Sequence, residues 1–301
     1  TGLFVNYHFN PLQDDFPDVS YLDNRGGEGE PGEWRTRAKY TDPCQTIYWS
    51  TSAAEGKTQD CLLDAYSEAT YVINFSVLKS HNCGGITVAA KNHYGSLLRT
   101  PVGGGRRLGD NYYNLHHTLP GDGCRDTDAV KSMGQYRALV DLAGLDDIGG
   151  KTLLYLVDGI FGGRDWYSAP SVWSLPPFDG DWPSSLLLSM DPVAIDSVAQ
   201  DFLAEQWPEQ VLKYEGNQDY LHEAALAGKP PSGTCYDPEG DGACMGSLGT
   251  HEHWNNPMDK KYSRNLDPEH GLGIELVYVS GDMSVMLGTS TYLPLVRGER
   301  R

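Results

Sequence analysis

Three apolar runs constrain this chain most: "TYVINFSVLK" at 70–79, "KTLLYLVDGI" at 151–160 and "SSLLLSM" at 184–190. Each has strand length and is rich in β-branched, aromatic or leucine side chains, so each reads as a buried strand. Helical patterns separate them. "SHNCGG" breaks the first run, and "ITVAAKNHY" after it reads as a helix closed by Gly95. "DAVKSMGQYRALVDLAGL" predicts a second helix with Asp128 as its cap. "DPVAIDSVAQDFLAEQW" predicts a third, with Asp191 at the N-cap and Pro192 at the first helical position. "GIELVYVSG" (Gly273–Gly281) reads as a late strand. Strands alternating with helices imply an α/β fold. The expected sheet is mostly parallel and flanked by helices, with long loops and ligand sites at the carboxyl ends of its strands.

The 301 residues are treated as a single α/β domain, residues 1–301. A chain of this size buries roughly 75% of its unfolded surface, enough for a core without staples. Residues 1–60 read as irregular, with "QTIYWST" as a short strand, and "DCLLDAYSEA" after them has helical spacing. The opening "TGLFVNYHFN" lacks an initiator Met, so the expectation is a processed or partial chain.

Charge and cysteines narrow the function classes. A formal net charge of −18 argues against a nucleic-acid partner and against anionic membrane surfaces. No apolar run reaches the ~20 residues of a membrane span. None of the six cysteines forms a CxxC pair, so neither an iron–sulfur cluster nor a structural zinc site is expected. Disulfides are expected instead, Cys235 with Cys244 across a Gly-rich turn and Cys44 with Cys61. That favours an oxidising, extracytoplasmic location, periplasmic or secreted.

The chemistry concentrates in "KSHNCGGITVAAKNHYG", Lys79 to Gly95. Lys79 and His81 lie two apart, so an extended chain points both to one face. A loop through Gly84 and Gly85 leads to a predicted helix whose free N–H groups favour an anion, with Thr87 and Lys91 on one face. Lys79, His81, Lys91 and Asn92 are therefore expected to surround a small anion and run acid–base chemistry. Asp158 ends an apolar run and joins them as a candidate carboxylate, with a local Asp-Gly turn as its alternative. Asp191 is read as a cap, and Asp196 sits in the first helical turns.

Two further motifs are weighed for metals. "CYDPEGDGAC" places Asp237, Glu239 and Asp241 at alternate positions, like the first half of a calcium loop, against the alternative of a disulfide-closed acidic turn. "HEHW" puts His251 and His253 on one face if extended. They suit ligand binding or another divalent metal, with Glu252, His116, His117 or Asp158 as the third ligand. No cofactor is certain. "GGG" at 103–105 before Arg106 and Arg107 does not make a phosphate loop.

The blocks "VINFSVLKSHNCGGITVAAKNHYGSL", "LYLVDGIFGG", "SMDPVAIDSVAQDFL" and "SLGTHEHWNNPMDKKYSRNL" resemble the domain of unknown function 362 family, across residues 71 to about 279. Lys79, His81, Lys91, Asn92, Asp191 and Pro192 carry the likeness. Many members of that family have ferredoxin-like cysteine motifs, which this chain lacks. The resemblance implies a fold and no settled reaction. The expected function is an extracytoplasmic enzyme using Lys/His acid–base chemistry on a small or sugar-like anionic substrate, as a lyase, isomerase or hydrolase. The competing expectation is a non-catalytic secreted module that binds an anion or carbohydrate, or a homo-oligomer or subunit of an extracellular assembly.

Overall fold

A computed structural model describes residues 15–23, 36–41, 43–51, 58–97, 115–121, 130–165, 167–281 and 291–297. Asp128 and Gly103–Arg107 lie outside the described residues. Two small sheets precede the main one. Strands β1 (Leu22–Asp23) and β2 (Thr36–Arg37) pair in parallel, and β3 (Thr46–Tyr48) and β4 (Gln59–Cys61) pair antiparallel. The Cys44–Cys61 disulfide ties the start of that hairpin to its end. The short helix α1 (Asp64–Glu68) follows. The part of residues 1–60 that is described is thus organised by pairing and a disulfide, not wholly irregular.

The main sheet contains β5 (Val72–His81), β6 (Gly85–Thr87), β7 (Thr152–Gly163), β8 (Ser185–Ser189), β9 (Glu275–Gly281) and β10 (Thr291–Arg297). Its order is β6-β5-β7-β8-β10-β9. Only β5–β7 and β8–β10 are parallel, and the other three pairings are antiparallel. The sheet is mixed, not mostly parallel. The apolar runs mark strands but carry no direction, and the connection from β7 to β8 contains no helix that would force a parallel return. β10, with Pro294 inside it, is a strand the sequence reading did not assign.

Strand burial also departs from expectation. Along β5 the inward residues Asn74, Ser76 and Leu78 are buried, whereas Ile73, Phe75 and Val77 are 61%, 58% and 51% exposed. Polar Asn74 and Ser76 thus sit inside while large apolar side chains face out. An apolar run shows that a strand is present but not which of its faces is covered.

The sheet packs on helices α2 (Ala89–Asn92), α4 (Pro192–Gln206) and α5 (Pro208–Val211), with α3 (Ala138–Gly144) against α2, α6 (Asp219–Ala225) against α3 and α4, and α7 (Ser263–Leu266) near β9. Helix α4 is the central one. Val193, Ala194, Ile195, Val198, Ala199 and Leu203 are all buried along it. Asp191 caps it as expected, accepting from the Val193 and Ala194 N–H groups at 2.8 Å each.

Two expected helices shrink. Residues 131–137 are not helical, because the buried Asp219 carboxylate accepts from the N–H groups of Gly134 and Gln135 and holds that stretch as a loop. Helix α3 therefore starts only at Ala138. Ile86 and Thr87 belong to β6, which leaves α2 four residues long.

Asp219 is also paired with buried Arg137 at 2.8 Å, and Arg137 donates to the carbonyls of Thr118, Val130 and Ser132. Arg137→Met should destabilise the protein by about 3–5 kcal/mol, because it strands a buried carboxylate. Urea denaturation of the two proteins checks this.

Candidate functional site

The site forms where β5 turns into β6. Lys79 pairs across the two strands with Thr87, and His81 with Gly85. Directly opposed residues share a sheet face, so Lys79, His81 and Thr87 lie on one side. The turn is tight. Gly85 has φ +72, and a Cβ there would meet Asn217 Cβ at 2.8 Å, so glycine is required on both counts. Gly84 contributes its backbone: the N–H groups of Cys83 and Gly84 donate to His81 Nδ1 at 3.0 and 3.2 Å. With Nδ1 accepting, the proton of the neutral ring sits on Nε2.

Electrostatics gather the remaining members. Burial, and then repulsion from Lys91, His116 and Lys79, together push His81 down to about 3. Lys79 is itself lowered by burial, with Asp165 acting in the opposite direction. Lys91 is buried and sits 4.6 Å from the Tyr94 ring centroid, and the same tyrosine meets the His116 ring edge-on. Thr87 Oγ1 is buried without a hydrogen-bond partner among the described residues. Lys79, Lys91 and His116 thus each act electrostatically on His81, Asp165 acts on Lys79, and Thr87 shares the sheet face of Lys79. The sequence reading placed neither His116 nor Asp165 in this group.

Other candidates go elsewhere. Asn92 donates to Asn74 Oδ1 at 2.8 Å and lies beside the middle of β5, away from His81. Asp158 lies inside β7, opposite Val77, and accepts from the Ile160 N–H at 2.9 Å; the Asp-Gly step makes no turn there. The expected anion site at the start of α2 is already filled. Asp196 accepts there from the Ala89 and Ala90 N–H groups at 2.7 and 3.0 Å, and from Tyr220 Oη at 2.9 Å. Its full burial raises it to about 6. The first two N–H groups of α2 are thus taken by an internal carboxylate.

His251 and His253 belong to a second cluster. His251 Nε2 lies 3.2 Å from Nε2 of His222, on α6, and His251 Nδ1 lies 2.8 Å from Ser197 Oγ. Burial, then His222 and His253, push His251 down to about 3. His253 Nδ1 contacts Asp201 at 2.6 Å and its Nε2 contacts Gln218 Oε1 at 3.1 Å, and the Asp201 hydrogen bond raises its proton affinity. His253 opens on a cleft of about 480 Å³ that Gln200, Trp254 and Asn256 also line. His222 carried no sequence signal, since only the fold brings α6 beside the "HEHW" segment.

In the acidic loop, Asp237 accepts from the N–H groups of Gly240, Asp241 and Gly242, Asp241 from Ala243, and Glu239 from Asp146. The Cys235–Cys244 disulfide closes the loop. These bonds build a turn, and among the described residues no three His, Cys, Asp or Glu side chains form a metal-holding group. Also among the described residues, no helix is long and apolar enough to cross a membrane.

A mixed α/β fold with disulfides is the class defined here. The chain belongs to the DUF362 family of domains of unknown function, whose profile matches residues 37–201, more than half of the chain. Comparison with curated proteins and with solved structures gives no significant match.

His81 gives the site a pH signature. Its folded value of about 3 lies below the ordinary 6.5. Its contribution to stability is complete above pH 6.5 and is lost as pH falls toward the folded value. Over that window one such group accounts for up to about 1.4 kcal/mol per pH unit. His81→Gln should therefore lose stability less steeply on acidification than wild type, as read from urea midpoints across the window.

Proposed function

We propose that this protein is an extracytoplasmic enzyme that binds a small or sugar-like anionic substrate at the carboxyl end of β5 and works by proton transfer. The observation that carries the reading is the gathering of Lys79, Lys91 and His116 around His81, in a protein of net charge −18. A cluster of cationic side chains on an otherwise acidic chain favours an anion. Lys91 supplies the fixed positive charge. Neutral His81 offers Nε2–H as a donor, because two backbone amides hold its other nitrogen. Lys79, lowered by burial, is the base, since a lysine with reduced proton affinity exchanges protons nearer neutral pH. The buried Thr87 hydroxyl gives a further polar contact on the same face. The disulfides Cys44–Cys61 and Cys235–Cys244 support the extracytoplasmic location.

The test is calorimetry against phosphate, sulfate and uronic acids. Lys91→Ala should weaken binding by about 1.5–3 kcal/mol, the scale of a hydrogen bond to a charged group. Lys91→Arg should restore it only in part, because a planar fork does not replace a compact ammonium. Equal binding by wild type and Lys91→Ala, or none by either, removes the anion site.

A further inference from the structure

The three-histidine cluster serves no part of the proton-transfer site, yet its geometry is specific. We propose that His222 and His251 bind one borderline divalent transition-metal ion, Zn2+, Ni2+ or Cu2+, with water or a small ligand filling the remaining positions. Their Nε2 atoms are 3.2 Å apart. Two imidazole nitrogens bound to one such ion at about 2.0–2.1 Å stand about 2.9–3.3 Å apart for bond angles between square and tetrahedral.

The tautomer of His251 fits as well. Ser197 Oγ donates its single hydrogen to the Val193 carbonyl at 2.7 Å, so toward His251 it can only accept. His251 Nδ1 must therefore carry the ring proton, and its Nε2 presents a bare lone pair toward His222. This is the arrangement that orients a metal-ligating histidine through its other nitrogen. Without metal, His222 Nε2–H donates into that lone pair. Metal binding moves the His222 proton to Nδ1 and turns both Nε2 atoms to the ion.

The segment that carries His251 is held on both sides by α4. The Thr250 N–H donates to Asp191 and the Trp254 N–H to Asp201. With Ser197 also on α4, one rigid helix places the ligand and its orienting hydroxyl. His253 stands outside the ligand pair because Asp201 and Gln218 engage both of its nitrogens. Nitrogen ligands suit Zn2+, Ni2+ and Cu2+ and not calcium, and the general affinity order makes Cu2+ the tightest.

The experiment uses untagged, chelator-stripped full chain, titrated calorimetrically with each of the three ions. One ion per chain is expected, with Cu2+ bound most tightly. His222→Ala and His251→Ala should each remove saturable binding. Ser197→Ala should weaken it by about 10–100-fold, the usual effect of losing an outer-sphere partner. His270→Ala, an exposed histidine, and Lys91→Ala should leave it unchanged, the latter separating this site from the anion site. Circular dichroism checks that each variant folds. If a histidine variant does not, electron paramagnetic resonance of Cu2+-loaded wild type should show two coordinated imidazoles. Absence of saturable binding, binding that survives both histidine substitutions, or a Cu2+ spectrum without two imidazoles overturns the proposal.

Discussion

Buried carboxylates that accept backbone N–H groups hold this molecule together. Asp191, Asp196 and Asp201 leave α4 in three directions and bind Thr250, Ala89 with Ala90, and Trp254. Asp141 holds Ser50, Asp219 holds Gly134 and Gln135, Glu223 holds Ser232, and Glu252 holds Ser263. Much of the chain between 226 and 262 has no regular ladder, so its backbone donors need other partners. A carboxylate meets that need with strong, charge-assisted bonds and is satisfied by them in return. Part of the acidity of the chain is therefore structural.

That economy shapes the basic site. Asp196 takes the helix-start position that an external anion would otherwise occupy, so α2 is anchored before any ligand arrives. Lys79 and Lys91 are left as the positive groups at the strand end. Burial and then their repulsion keep His81 neutral, and the two amide donors on its Nδ1 leave the ring proton on Nε2. The segment Glu215–Gln218 separates the two clusters: Asn217 backs Gly85 on one side, and Gln218 meets His253 on the other.

Features that depend on neighbours in sequence were legible. The nine-residue separation of Cys235 and Cys244, and the turn between them, make their disulfide readable, and Cys44–Cys61 formed as expected. The Asp191 cap follows from Asp-Pro before an apolar helix. The placement of Lys79 and His81 on one face follows from strand period alone. Asn92 was misplaced because its partner, Asn74, is eighteen residues away and signals nothing locally. The helix expected from Asp128 onward lost its first part to Asp219, whose pull on Gly134 and Gln135 comes from 85 and 84 residues away.

The sequence by itself determined where β5, β7, β8, β9 and the central helix lie, that Cys235 pairs with Cys244 and Cys44 with Cys61, and that base is concentrated between Lys79 and Lys91. Periodicity, capping and short-loop closure are local properties, and they are written in local residue order. Only the tertiary structure decided that the sheet is mixed, that β5 shows Ile73, Phe75 and Val77 outward, and that His222 faces His251. Strand direction and facing depend on which distant segment satisfies the remaining hydrogen bonds and covers the remaining surface. Those partners are chosen by the folded chain as a whole.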